Sequence, residues 1–126
     1  MKKEIINSPE AFAAVGPYSH SVLVSDSVQF TSGQIGADPT TGKLVEGVES
    51  QTIQAFANLE AILKAADMDF SNIVKTTVFL DNMDDFAAVN EIYAGYFPDN
   101  PPARSCVAAA QLPLGALFEI EAIAVR

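Results

Sequence analysis

Phe118-Glu119-Ile120-Glu121-Ala122-Ile123-Ala124-Val125-Arg126 closes the chain, and its strict alternation governs how the rest is read. Taken as a strand, it sets Phe118, Ile120, Ala122 and Ala124 on one face and Glu119, Glu121, Ile123 and Val125 on the other. Neither is a solvent face. One is wholly apolar, and the other mixes two carboxylates with β-branched residues. Upstream, Pro101-Pro102-Ala103-Arg104-Ser105-Cys106-Val107 reads as another strand, with Arg104 and Cys106 on one face. A guanidinium, a thiol and two carboxylates on half-apolar sheet surface suggest a partly buried site for a small carboxylate.

Working outward, the remaining elements fall into one order. Lys2 to Ile6 reads as a short edge strand ended by Ser8-Pro9. Ser21 to Ser25 and Val28 to Ser32 form a hairpin pattern split at Asp26-Ser27, and Gly33 to Gly47 is loop, dense in turn residues. Val48 to Ala66 carries Thr52, Ala55, Phe56, Leu59, Ile62, Leu63 and Ala66 at helical steps. Ile73 to Leu80 is a strand. A second helix follows from about Met83 to Tyr96, stopped by Pro98. The last strands run over Ala103 to Ala110 and Leu117 to Arg126.

This order predicts an α+β domain spanning 1–126: a single mixed sheet of about six strands with two helices on one face. The other face keeps apolar residues, and copies of the same chain are the economical cover for it.

Composition narrows the function. The 126 residues suffice for one core without metal or disulfide support. A formal charge of −9, with seven Lys and Arg scattered along the chain, disfavours nucleic acid and anionic membrane surfaces. The single cysteine rules out an intrachain disulfide and suits a reducing cytosol. Met1-Lys2-Lys3 imitates a signal-peptide start, but Glu4, Asn7, Pro9 and Glu10 leave no apolar stretch behind it. A soluble, unprocessed, cytoplasmic protein is expected.

Several residues could carry chemistry. An arginine at a strand end ordinarily pairs with a surface acid, but Pro101-Pro102 fixes the approach of Arg104 and sets it beside Cys106. A guanidinium in a half-buried site is the usual fork for a carboxylate. Glu119 and Glu121 could merely solubilise an edge; covered by a partner, their like charges would raise the pKa of at least one. Such a carboxyl can exchange protons near neutrality, as water addition to a C=N bond requires. Cys106 reads first as a small core residue, and His20 as structural. One His and one Cys give no metal-ligand spacing. Gly33 permits close approach of the backbone to a ligand. Asn90 sits on the apolar stripe between Phe86 and Tyr93, where an amide must find partners.

In sequence order, Gly16-Pro17-Tyr18-Ser19, Ser32-Gly33-Gln34-Ile35, Thr41-Gly42, Gln51-Thr52, Asn58-Leu59 and Val74-Lys75-Thr76-Thr77-Val78-Phe79 form a set. Asp85-Phe86, Val89-Asn90, Tyr93, Pro102-Ala103-Arg104-Ser105-Cys106-Val107, Leu112-Pro113 and Glu119-Ile120-Glu121-Ala122-Ile123-Ala124 complete it. Together they resemble the Rid family (RidA, or YjgF-type, reactive intermediate deaminases) nearly end to end. The resemblance implies a homotrimer of chorismate-mutase-like subunits with clefts at subunit boundaries. It implies hydrolysis of enamine/imine acids, such as 2-aminoacrylate, 2-iminopropanoate and 2-iminobutanoate, to 2-oxo acids and ammonia, without cofactor or metal.

By position, the resemblance assigns Arg104 to the substrate carboxylate and Glu119 to water and the imine nitrogen. Tyr18, Ser32, Asn90 and Cys106 would line the cleft, with backbone around Gly33 and Ile35 near the ligand, while Glu121 would be structural. Ala108-Ala109-Ala110-Gln111 and Leu114-Gly115-Ala116-Leu117 are less polar than the family pattern, which bears on substrate preference. The alternatives are a non-catalytic sensor of 2-oxo acids, an endoribonuclease or translation inhibitor, and a chaperone-like holdase.

Overall fold

The computed structural model describes residues 2–126; Met1, the first residue of the one-domain reading and of the signal-like start, lies outside the described residues. Strands β1 (Lys3–Ile6), β2 (Ser21–Val24) and β3 (Val28–Thr31) form an antiparallel meander. The β2–β3 turn centres on Ser25 and Asp26, at φ 52° and 59°, closed by Ser27 N–H donating to Val24 O at 3.0 Å. Two positive φ values match the twist of the flanking strands, and the turn sits one residue earlier than Asp26-Ser27.

From β3 the sheet continues through the C-terminal strand rather than along the chain. The order is β1-β2-β3-β7-β5-β6, where β5 is Ile73–Leu80, β6 is Ala103–Ala108 and β7 is Phe118–Val125. Only β5 and β6 run parallel, so the sheet is mixed, as expected. A further strand, β4 (Gln34–Ile35), pairs Gln34 with Ile120 and Ile35 with Glu119, making seven strands instead of about six. The sequence pattern from Gly33 predicts loop; these two paired residues are held by β7 and not by any local pattern. Likewise β6 ends at Ala108 rather than Ala110.

Helices α1 (Val48–Lys64) and α2 (Phe86–Tyr96) cover one face. The α1 stripe meets Phe118, Ile120, Ala122 and Ala124 of β7, and Phe56, Leu59, Ile62, Leu63, Phe118 and Ile120 are fully buried. Each such side chain contributes about 1.5–3 kcal/mol relative to exposure. Helix α1 stops before the expected Ala66. Asp67 takes φ 57°, and Met68 N–H reaches back to Leu63 O at 3.0 Å, a Schellman-type end. Met83–Asp85 is a separate 3-10 turn before α2, capped by Asn82, whose Oδ1 accepts from Asp84 N–H at 2.8 Å.

Two contacts set the distance between α1 and β4. A Cβ on Gly36 would run into the backbone of Gln51, so only glycine lets the helix lie this close. Buried Asn58 donates through Nδ2 to Ile35 O (3.1 Å) and Ala37 O (2.9 Å), and its Oδ1 accepts from Phe12 N–H (3.4 Å) and Gln54 Nε2 (3.2 Å). His20 holds the segment that leads to Phe12: its Nδ1 accepts from Ser8 N–H (3.1 Å) and its Nε2 donates to Phe12 O (2.8 Å). The histidine braces this segment structurally.

The face away from the helices stays open. It carries Ile5, Phe30, Val107 and Val125 at 48, 46, 49 and 37% exposure, in register with Val22, Phe79 and Ile123 on neighbouring strands. No helix among the described residues is long and apolar enough to cross a membrane.

Candidate functional site

Register decides which site residues can meet. On β7, Glu119 and Glu121 lie opposite Phe79 and Thr77 of β5, on the open face. On β6, Arg104 and Cys106 lie opposite Thr76 and Val78, whose own partners on β7 are Ala122 and Ile120, on the helix-covered face. Arg104 and Glu119 therefore stand on opposite faces of the sheet, and β5 separates their strands. The expectation of one patch holding guanidinium, thiol and carboxylates is corrected: within a protomer these residues fall into two separate groups, each a candidate half-site.

The first half-site is a cavity of about 410 Å³ lined by Phe12, Val15, Tyr18, Ser32, Gly33, Gln34, Ile35, Pro113, Glu119 and Glu121. It gathers Tyr18, Ser32, Gly33, Ile35 and Glu119 of the expected set. The Glu119 side chain lies against Gly33, where a Cβ would collide with its carboxyl group. Ser32 Oγ donates to Ser19 O at 2.7 Å, and the Tyr18 hydroxyl accepts from Val15 N–H at 3.3 Å, which shapes the loop beside the cavity. Burial pushes the Glu119 carboxyl above the ordinary range for a glutamate, and the neighbouring charge of Glu121 adds to the shift. The result is a half-buried acid able to hold a proton at higher pH than a surface carboxylate.

The second half-site lies where β6 meets α2. Arg104 is half-buried, its Nη1 donating to Asn90 Oδ1 at 2.9 Å. The guanidinium carbon sits 4.5 Å from the centroid of the Tyr93 ring and 5.5 Å from that of Phe86. Among the described residues, no acid comes within ion-pair distance of Arg104. Cys106 packs against the core edge; burial raises its thiol pKa, with Arg104 pulling the other way. It is a protonated thiol near neutrality and not a prepared nucleophile.

Nothing in the sequence alone marks Phe12, Val15, Pro113 or the aromatic bed of Arg104 as site residues. Phe86 and Tyr93 read as core stripe, which they also are; Leu112-Pro113 belonged to the motif set without a role. Among the described residues, no three His, Cys, Asp or Glu side chains come together to hold a metal ion.

The family model described as Endoribonuclease L-PSP matches residues 8–126. The chain is 51% identical, over 98% of its own length and 90% of the relative's, to the 2-iminobutanoate/2-iminopropanoate deaminase of Rattus norvegicus. Among solved structures it is similar to RidA from the Antarctic bacterium Psychrobacter, with a TM-score of 0.94 and 40% identity, covering 98% of this chain and 99% of that one. It is also similar to E. coli TdcF with bound serine, at a TM-score of 0.93 and 42% identity, covering 98% of each chain.

Proposed function

The chain belongs to the Endoribonuclease L-PSP family, which is the YjgF/RidA or Rid family, and from that premise we propose how its two half-sites work as a 2-iminobutanoate/2-iminopropanoate deaminase. The enzyme adds water to the C=N bond of 2-imino acids and releases 2-oxo acids and ammonia. The observation that carries the reading is Arg104: a half-buried guanidinium that meets no acid among the described residues. An arginine left in that state is suited to a small anion, and the carboxylate of a 2-imino acid fits its fork.

In this mechanism Arg104 grips the substrate carboxylate and orients the imine carbon. Glu119, whose carboxyl is pushed above the ordinary glutamate range by burial and then by Glu121, gives its proton to the imine nitrogen and then takes one from the attacking water. Glu119 then protonates the amino group of the tetrahedral carbinolamine and takes the hydroxyl proton, so that C–N breaks as C=O forms and ammonia leaves the 2-oxo acid. Such imines already hydrolyse in water, so orientation and proton transfer suffice, the latter worth ~10²–10⁴-fold. No cofactor or metal enters the scheme, and Cys106 lines the cleft without attacking.

Because Arg104 and Glu119 face opposite ways, one chain cannot present both to one substrate. We place the working cleft between protomers of a homotrimer, with the Arg104 edge of one copy against the Glu119 cavity of the next. The exposed Ile5, Phe30, Val107 and Val125 support that assembly, since an apolar sheet face this broad is rarely left to water. The same chemistry would suit a 2-oxo acid sensor, which binds without turnover. An RNA-cleaving role is disfavoured by the charge of −9. The proposed setting is the cytosol, which a lone thiol suits.

The deciding experiment generates 2-aminoacrylate in situ with a serine dehydratase and follows its decay with and without the protein. Faster decay, abolished by Arg104→Ala, is the expected result. A folded, assembled protein that binds 2-oxobutanoate but leaves the decay unchanged would make it a sensor.

A further inference from the structure

We propose that Asn90 and Tyr93 are positioning residues that hold the Arg104 guanidinium as a preset fork for a substrate carboxylate. The inference rests on the reading of Arg104 as the carboxylate anchor. It concerns what fixes that anchor, a long side chain at the sheet edge with several rotatable bonds.

Each half of the guanidinium is treated differently. One Nη1 hydrogen goes to Asn90 Oδ1 at 2.9 Å, while neither Nε nor Nη2 donates to any described residue. The Nε–Nη2 edge is thus left for two parallel bonds to a carboxylate. Beneath the group lies Tyr93, with its ring centroid 4.5 Å from the guanidinium carbon, within cation–π range. That ring is fixed in turn: its hydroxyl is 2.7 Å from Thr76 Oγ1, and Phe97 packs at 4.8 Å. Thr76 is also the cross-strand neighbour of Arg104, so the brace closes on the strand pair that carries the arginine. Burial keeps the Tyr93 hydroxyl protonated, so the ring offers its face and not a competing anion.

The identity of residue 90 matters for the same reason. An amide oxygen orients the guanidinium without neutralising it, whereas a carboxylate there would compete with the substrate for the same charge. This accounts for an amide on an otherwise apolar stripe, between Phe86 and Tyr93. Asn90 is exposed and Tyr93 buried, so the two positions separate orientation from packing.

The test titrates 2-oxobutanoate, a stable mimic of substrate, by calorimetry, and measures KM and kcat in the dehydratase-coupled assay. Asn90→Asp should weaken binding and raise KM about tenfold with kcat nearly kept, because a charge-assisted pair at Nη1 now offsets the positive charge that the substrate carboxylate needs. Asn90→Ala should raise KM about threefold, with an unchanged melting temperature. Tyr93→Phe keeps the ring and should bind within about twofold of wild type, while Tyr93→Leu should lose about fivefold. If the leucine variant does not fold, the Asn90 series decides. A wild type that binds, with Asn90→Asp indistinguishable from it, overturns the brace alone. A wild type that neither binds nor turns over overturns the anchor reading and this inference together.

Discussion

Glu119 rests on Gly33 so closely that the glycine has no room for a Cβ beside the carboxyl group. The contact joins β7 to the residue just before β4, and it holds the acid half-buried on the open face, against the cavity wall. A methyl group at position 33 would push the carboxyl away from that place. Gly33→Ala should therefore lower turnover ~10–100-fold, the scale of a small misplacement of the proposed catalytic acid, while assembly stays intact. Coupled assays together with sedimentation would check both halves of this expectation.

Opposite placement of Arg104 and Glu119 makes a sharper prediction. Arg104→Ala and Glu119→Ala chains should each be inactive alone. Co-expressed in equal amounts, random mixing in the proposed homotrimer would give about one quarter of clefts an intact arginine from one chain and an intact glutamate from its neighbour. Activity near that fraction is expected from the purified mixed assemblies. No recovery at all, with mixed trimers verified by mass spectrometry, would place both groups in one chain's site.

The alternation of Phe118 to Val125 was legible in the sequence, as were both helices and the apolar character of the two sheet faces. Alternation, however, fixes parity only within a strand. Whether Arg104 shares a face with Glu119 depends on which strand lies between β6 and β7 and in what register, and that is set by long-range pairing. β4 escaped for a related reason: two residues carry no period, and Gln34 and Ile35 become a strand only because β7 lies beside them. Tyr93 was legible as core from its spacing. Its second use, under a guanidinium arriving from another element, left no local mark.

The raised pKa of Glu119 ties pH to both stability and rate. A glutamate whose folded pKa exceeds its unfolded one binds more protons in the native state between the two values, so stability falls as pH rises through that window. Glu119→Gln removes this slope. Urea titrations from about pH 4 to about pH 7 should show the variant gaining on wild type as pH rises. In the wild-type rate profile, the limb due to this acid should lie above the ordinary carboxylate range. Glu121→Gln should move that limb down, because the charge of Glu121 is the second cause of the shift after burial.

Phe30 offers a test of what covers the open face. It stands 46% exposed on β3, opposite Ile123 of β7 and Val22 of β2. If the proposed assembly covers this face, Phe30→Asp would strand a carboxylate in the interface, where an unpaired charge costs several kcal/mol. The expected outcome is monomers by sedimentation at micromolar concentration, with loss of turnover. Native-like circular dichroism should persist, because the helix-covered core is untouched. Unchanged assembly and activity would mean that this face is not where the copies meet.

Asn58 joins the core to the cavity, and its loss should be felt in both. Its amide satisfies Ile35 O and Ala37 O at 3.1 and 2.9 Å, and its oxygen receives Phe12 N–H at 3.4 Å. Asn58→Ala would leave these buried groups unpaired, at a cost of about 2–4 kcal/mol. For a domain of this size that corresponds to a fall of about 10 °C in Tm. Phe12 and Ile35 line the Glu119 cavity, so KM should rise in the surviving folded protein even well below its Tm. Asn58→Asp keeps an acceptor for Phe12 but loses both donors, and should fall nearly as far. A thermal shift of only a degree or two in the alanine variant would show that water, and not this side chain, satisfies the carbonyls of Ile35 and Ala37.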